Sequence, residues 1–235
     1  MFSKTAQYYD LIYSQFKDYA AEAANIADLV ANTHPSARKI LDVACGSGEH
    51  ARLLSDVHGF EVDALDADPA FVAIAASKLG RGRVYEGDMR TFQLPYRYDV
   101  VLCLFSSIGY VQSLEAVGET LGRFKDVLAE GGVILIEPWF EPDTFFPGRF
   151  SVDVARTEEI AISRVSHSAV EGRLSRLQFE YLIGTSKGIE HLSEEHVLGL
   201  FTRAEMLRCF DEASLRVAYD PIGLFNRGMY VARRA

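Results

Sequence analysis

The chain has 235 residues, 49% of them hydrophobic, which suits one domain with a full core and room for an insertion. Asp and Glu outnumber Lys and Arg by 33 to 24, for a net charge of −9, and no Lys/Arg run occurs, so a nucleic-acid polymer is not an expected partner. No apolar run approaches the roughly 18 residues of a membrane helix, and Met1 to Asp10 lacks signal-peptide form, so no membrane partner and a cytoplasmic location are expected.

Residues 1–17 read as irregular and aromatic, with Phe2, Tyr8, Tyr9, Tyr13 and Phe16. They serve either as packing or as a lid over a site. Tyr19, Ala23, Ile26 and Val30 share one helical face, which Pro35 ends. Ile40, Leu41 and Val43 form a buried strand running into the turn Cys45-Gly46-Ser47-Gly48, and His50 to Leu54 resumes a helical pattern. Phe60 to Leu65 is a second strand with Asp66 at its end. Pro69 opens the next helix where its missing N–H costs nothing, with Phe71, Ile74, Ala75 and Leu79 on one face. Arg83 to Glu86 is a short third strand. Tyr98 to Leu104 is a continuous apolar run, as in a central parallel strand covered on both faces. The following helix carries Leu114, Val117, Leu121, Phe124 and Leu128 on one stripe, and Gly131-Gly132 turns the chain into a fifth strand, Val133 to Glu137.

From about 140 to 202 the alternation of strand and helix stops. Leu177, Phe179, Tyr181 and Ile183 alternate with Arg176, Gln178, Glu180 and Leu182, a largely two-residue period punctuated by Gly172, Gly184 and Gly188. This predicts an inserted antiparallel sheet. Thr202 caps a helix with Met206, Leu207 and Phe210, and Leu215 to Tyr219 pairs with Met229 to Ala232 in a closing hairpin. Cys45, Cys103 and Cys209 are far apart and form no Cys-x-x-Cys, so neither a metal site nor a disulfide framework is expected.

A strand, glycine turn and helix in succession is where open parallel sheets bind nucleotide-like ligands. Gly46-x-Gly48-x-x-Ala51 also fits the dinucleotide fingerprint, and Asp66 can hold a ribose in either case. Two further acids favour a different ligand. Asp42 lies inside the first strand, where a pyrophosphate would meet an unhelpful negative neighbour. Asp88, in Gly87-Asp88-Met89, can accept from an adenine amine while Met89 packs on the ring. Asp42 or Asp88 alone reads equally as a turn or cap residue. Together with Asp66 they suit a cation carrying one adenosine, S-adenosylmethionine.

On these residues the chain resembles the class I S-adenosylmethionine-dependent methyltransferases. It is similar, more narrowly, to the nucleotide-sugar N,N-dimethyltransferases of desosamine and mycaminose biosynthesis. The matching stretches are Tyr9-Asp10-Leu11, Lys17-Asp18-Tyr19, residues 41–46, 87–90 and 105–109, Glu137-Pro138-Trp139, residues 164–168 and Arg227-Gly228. The resemblance implies an α/β, Rossmann-like seven-stranded sheet, mostly parallel with helices on both faces, in a single domain. It also implies a small antiparallel insert covering the substrate, and a homodimer. The implied reaction is N,N-dimethylation of a dTDP-linked amino deoxysugar; another small-molecule amine or oxygen acceptor is the alternative. Tyr110 stands where some relatives have histidine, and Arg149 where relatives carry an aromatic residue.

The expected cofactor site has the backbone of Ala44, Gly46 and Gly48 along the methionine part. Asp66 lies at the ribose, Asp88 and Met89 at the adenine, Tyr19 and Phe105 form the walls, and Tyr9 and Ala67 are further cofactor-binding candidates. A sugar nucleotide needs cations for its phosphates, and arginine binds phosphate in a bidentate manner. Arg164 and Ser166 share a strand face, while His167 points the other way unless the strand bulges. Arg164, Ser166 and Arg227 are therefore diphosphate candidates, with His167 after them; Arg164 reads equally as an ion-paired surface arginine. Trp139 either stacks on a base or sugar or packs in the core. Methyl transfer to an amine is an in-line displacement governed by positioning. Tyr110, a poor base near neutral pH with a phenol pKa of about 10, is expected to orient the amine or relay a proton through water.

Overall fold

The apolar segments from Ile40 onward build one sheet of seven strands in the computed structural model, which describes residues 4–235 apart from Phe225. Phe2 of the aromatic lead-in lies outside the described residues. The strands are β1 (Lys39–Val43), β2 (Glu61–Asp66), β3 (Val84–Glu86), β4 (Tyr98–Cys103), β5 (Leu128–Ile136), β10 (Leu215–Asp220) and β11 (Met229–Arg234), in the spatial order β10-β11-β5-β4-β1-β2-β3. β1 to β5 run parallel, and β11 is antiparallel to both β5 and β10. The order reverses between β1 and β4, the place where such sheets open a crevice at their carboxyl ends.

Alternate residues of the central strands feed two cores. Ile40, Val100 and Leu102 pack with α2 (Tyr19–Thr33) and α3 (Glu49–Asp56), whereas Leu41, Val101 and Cys103 pack with α5 (Leu114–Val127) and α6 (Arg203–Glu212). Burial on both faces is why these strands read as unbroken apolar runs. Helix starts follow local chemistry. The Asp18 side chain accepts from Ala21 N–H, Asp68 precedes Pro69 at the start of α4 (Pro69–Lys78), and Thr202 with Glu205 makes a reciprocal capping box.

Three sequence expectations are corrected. Leu128 opens β5 instead of closing α5, because it pairs with Tyr98 in the sheet. Gly131 and Gly132 lie within β5, at a register shift, where Gly131 has φ +74° and a Cβ on Gly132 would sit 2.9 Å from the Asp99 carbonyl oxygen. Residues 6–13 are not irregular but form a 3-10 turn (Ala6–Tyr8) and the short helix α1 (Tyr9–Tyr13).

The insertion is a four-stranded antiparallel sheet, β6 (Phe150–Arg156), β7 (Ile160–Glu171), β8 (Leu174–Thr185) and β9 (Gly188–Gly199), in sequential order. Gly172 and Gly188 lie at its turns, but Gly184 stays inside β8, opposite Ala161. One face presents Ile162, Phe179, Tyr181 and Ile183, which pack around Ile12 and Tyr13 of α1. The aromatic segment is thus held between the two sheets. Among the described residues no helix is long and apolar enough to cross a membrane, and no His/Cys/Asp/Glu cluster is arranged to hold a metal. The three cysteines are free thiols.

Candidate active site

A cavity of about 290 Å³ lies at the carboxyl ends of β1, β2 and β4, with the aromatic segment and the inserted sheet among its walls. The backbone there is unusual. Ala44 has φ +57°, Gly46 +55°, Phe105 +50° and Ser106 +63°. Non-glycine residues avoid this region, and where they occupy it the surroundings enforce it, most often at sites. Here the enforcement is visible. Glu137, fully buried after β5, accepts from Phe105 N–H at 2.7 Å, and the buried Ser106 hydroxyl donates to the Pro138 carbonyl at 2.7 Å.

The two glycines of the loop do different things. A Cβ on Gly46 would meet no protein atom within 4 Å, so the space beside it is free for a ligand. A Cβ on Gly48 would sit 2.8 Å from the Ala75 Cβ, so that glycine lets α3 approach α4. Gly46 lines the cavity and Gly48 does not.

Asp66 is held by two backbone donors, Gly46 N–H at 2.8 Å and Asp68 N–H at 2.9 Å. Burial raises its pKa although those donors pull it down. Asp42 lines the same cavity, 2% exposed, and among the described residues nothing hydrogen-bonds to its carboxylate. Burial and then the Asp66 charge push its pKa up to about 7. The buried Tyr19 hydroxyl also lines this cavity and has no hydrogen-bond partner among the described residues. Uncompensated buried groups of this kind are where a ligand completes the bonding.

The aromatic segment closes one side. Tyr9 stacks on Tyr13 at 4.2 Å, and Tyr13 meets Phe105 edge-on at 5.5 Å. Asp10 accepts from the Ser47 hydroxyl at 2.5 Å and pairs with Lys78 at 2.5 Å, tying the segment to the glycine loop. Lys17 lies 3.1 Å from Glu22 and 3.6 Å over the Phe105 ring, and Glu22 also bonds His50 at 2.7 Å.

Of the other expected residues, Ala67, Met89, Phe105, Tyr110, Trp139 and Arg227 line the cavity. Arg227 is paired with Glu137 at 3.0 Å, and its guanidinium lies 5.6 to 5.8 Å from the rings of Phe105, Trp139 and Phe140. Trp139 donates to the Ser175 hydroxyl at 2.8 Å. Asp88 lies outside the lining and chelates Arg90. Arg164 and Ser166 do face inward, but outside the cavity lining. Arg164 is 5% exposed, bonds Asp153 at 2.8 Å and lies 5.0 Å from the Tyr13 ring, while Ser166 shares a hydrogen bond with Ser151. His167 is exposed on the far face of β7. Among the residues that escaped sequence reasoning, Lys17 and His196 line the cavity and Glu137 stands behind it; Lys17 and Glu137 were visible only inside matching stretches, and nothing local singled out His196.

A family model for a methyltransferase domain matches residues 40–132, the stretch holding the glycine loop, Asp66 and Asp88. Similarity to curated proteins runs much further. The chain is 39% identical to a dTDP-3-amino-3,4,6-trideoxy-alpha-D-glucopyranose N,N-dimethyltransferase of Streptomyces venezuelae, over 96% of each chain. It is 35% identical to a dTDP-4-amino-2,3,4,6-tetradeoxy-D-glucose N,N-dimethyltransferase of Saccharopolyspora spinosa, over 97% of this chain and 92% of that one. The crystal structure of Streptomyces venezuelae DesVI superposes with a TM-score of 0.92 at 38% identity, covering 98% of both chains. The match extends through the inserted sheet and the aromatic segment as well as the cofactor-type sheet, so the chain belongs to the sugar N,N-dimethyltransferase family of S-adenosylmethionine-dependent methyltransferases.

Proposed function

We propose that the protein transfers methyl groups from S-adenosylmethionine to the amine of a dTDP-linked amino deoxysugar, twice in succession. The observation that carries this is the composition of one cavity, with the buried acids Asp42 and Asp66 beside the glycine loop, Trp139 after β5 and Arg227 before β11. The acids suit a cationic adenosine compound and the arginine and indole suit a nucleotide diphosphate. A solved relative from Micromonospora echinaspora, an amino pentose methyltransferase bound to S-adenosylmethionine, matches at a TM-score of 0.87 and 34% identity.

The residues present fit the cofactor. Asp42 would meet its ammonium, the unpartnered Tyr19 hydroxyl its carboxylate, the open space beside Gly46 its methionine chain, and Asp66 its ribose. Met89 and Ala67 would flank the adenine, and Tyr9 and Phe105 would exclude water. When bound, the cofactor supplies an electrophilic methyl on a sulfonium. The protein's part is to align an amine lone pair with it, and alignment alone supplies up to about 7–11 kcal/mol in model reactions. Burial raises the Tyr110 phenol well above its ordinary pKa, so Tyr110 acts as a neutral hydroxyl and not as a phenolate base. Arg227, already anchored by Glu137, is the first diphosphate candidate. Arg164, Ser166 and His167 are assigned to holding and extending the covering sheet. Residues 1–17 act as the lid and 140–202 as the cover of one cytoplasmic domain, and the exposed sheet face of β6 and β7 is the surface for a second copy.

Incubation with S-adenosylmethionine and dTDP-3-amino, dTDP-4-amino and free amino sugars, read by mass spectrometry, tests the assignment. One and then two added methyl groups on a nucleotide sugar are expected. Methylation of free amines alone would replace the sugar-nucleotide reading with a small-molecule one.

A further inference from the structure

The 3-10 turn of residues 107–111 brings Tyr110 against β9. Gly109 permits this approach, since a Cβ there would lie 3.1 Å from the Leu198 side chain and 3.2 Å from Trp139. The Tyr110 hydroxyl then lies 2.8 Å from Nδ1 of His196, a residue 1% exposed that also borders the cavity. Nε2 of His196 lies 3.8 Å from Oε2 of Glu194. Glu194 in turn accepts from the Thr5 hydroxyl at 2.7 Å and from the backbone N–H of Thr5 and Lys4. A chain of polar groups therefore runs from the start of the aromatic segment to the cavity.

The polarity of that chain follows from its ends. Burial opposes the Glu194 charge, but the His196 ring 3.8 Å away and the hydrogen bonds from the Thr5 hydroxyl and Lys4 N–H outweigh it and hold the carboxyl below its ordinary pKa. An ionised carboxylate near Nε2 favours the proton on that nitrogen. Burial holds the imidazole itself below its usual pKa, hence neutral. Nδ1 is then an acceptor, and the Tyr110 O–H must donate to it. The remaining lone pairs of the Tyr110 oxygen are left for the cavity.

We infer that His196, oriented by Glu194, is a positioning residue that makes Tyr110 a hydrogen-bond acceptor for an N–H of the substrate amine, and so aims the amine lone pair for each methylation and ends the series at two. This rests on the amine acceptor proposed above. A primary amine offers two N–H groups and a secondary amine one, so Tyr110 can hold either. In each transfer the nitrogen lone pair forms the N–C bond, the C–S bond breaks with its electron pair going to sulfur, and the ammonium proton leaves to water before the next round. A neutral tertiary amine has a lone pair but no N–H to be held, and its protonated form has the N–H but no lone pair. Neither is set up for a third transfer. Losing the acceptor should weaken the second methylation more than the first, because a secondary amine has a single N–H with which to fix its orientation.

The test joins two readouts. First, ¹⁵N NMR of the histidine-labelled protein should show a neutral His196 ring protonated on Nε2, with the Nδ1 signal shifting in Tyr110→Phe. A ring protonated on Nδ1 overturns the inference without any turnover being measured. Second, His196→Phe should lower kcat about tenfold, the loss of one neutral hydrogen bond, with S-adenosylhomocysteine affinity by calorimetry unchanged and monomethyl product accumulating. Tyr110→Phe should match it, and the double variant should lose no more than either single. His196→Asn, with an amide oxygen near the Nδ1 position, should recover most of kcat and the dimethyl product. Additive losses, or an unchanged ratio of mono- to dimethyl product, would refute the role. If the wild-type protein methylates no nucleotide-sugar amine, the proposed function fails instead, and the ring protonation still reports on the polarity of the chain.

Discussion

Asp42 sits at the end of β1, where burial and then the nearby Asp66 charge let its carboxyl keep a proton up to a pH of about 7. Two consequences follow at this residue. The folded protein without ligand binds a proton that the unfolded chain has released once the pH passes the ordinary value of 3.8, so this group's contribution to stability falls as pH rises from there to about 7. With Asp42 in its proposed place at the cofactor ammonium, binding needs the ionised carboxylate, so affinity should rise with pH up to about 7 and then level, with proton release on binding below that point. Titration calorimetry in buffers of different ionisation enthalpy reads both. Asp42→Asn should flatten the pH dependence and weaken binding about 10- to 100-fold, the size of a lost charge-assisted bond. Unchanged affinity would move the ammonium contact elsewhere.

At the scale of elements, the glycine loop couples three of them. Gly48 begins α3 at φ +75° and its missing side chain lets α3 touch α4 at Ala75. Asp10 of α1 then reaches Ser47 in the loop and Lys78 at the end of α4. Gly48→Ala should cost about 1–3 kcal/mol of stability by crowding Ala75 in a strained conformation. Denaturant unfolding measures this, and Gly46→Ala serves as the contrast: at φ +55° it carries backbone strain but no clash, and its added methyl, entering free space in the cavity, should reduce cofactor affinity. The motif residues around 42–51 pointed to this place from spacing alone. The different tasks of the two glycines did not, because they depend on which atoms of α4 lie opposite.

For the whole molecule, the inserted sheet leaves an apolar patch on the β6 side of its outer face. Phe150, Val152 and Val154 on the edge strand are 77%, 61% and 63% exposed, with Val165 and Leu182 beside them. An exposed apolar edge is a hazard for a monomer and a surface for self-association. If copies associate through this face as proposed, Val152→Glu, directly opposite Val165, should shift dimer to monomer in light scattering without altering cofactor affinity. A wild-type protein that runs as a monomer at micromolar concentration would remove this surface from the assembly.

The parallel sheet, its helix order and the cofactor-type crevice were readable in the chain, since burial on both faces, glycine turns and the acids Asp42 and Asp66 are local patterns that any fold must obey. The inserted sheet was readable as a sheet from its two-residue period. Its strands' partners were not, and so the sequence left Arg164 open between a phosphate ligand and an ion-paired arginine, whereas register places Asp153 opposite it. Tyr110 was singled out from its neighbourhood in the sequence, but its partner His196 lies 86 residues away on another sheet. Periodicity and spacing record which face a side chain takes. Only folding decides which distant side chain it meets there, and the polarity of Tyr110, the state of Asp42 and the anchoring of Arg227 all depend on such meetings.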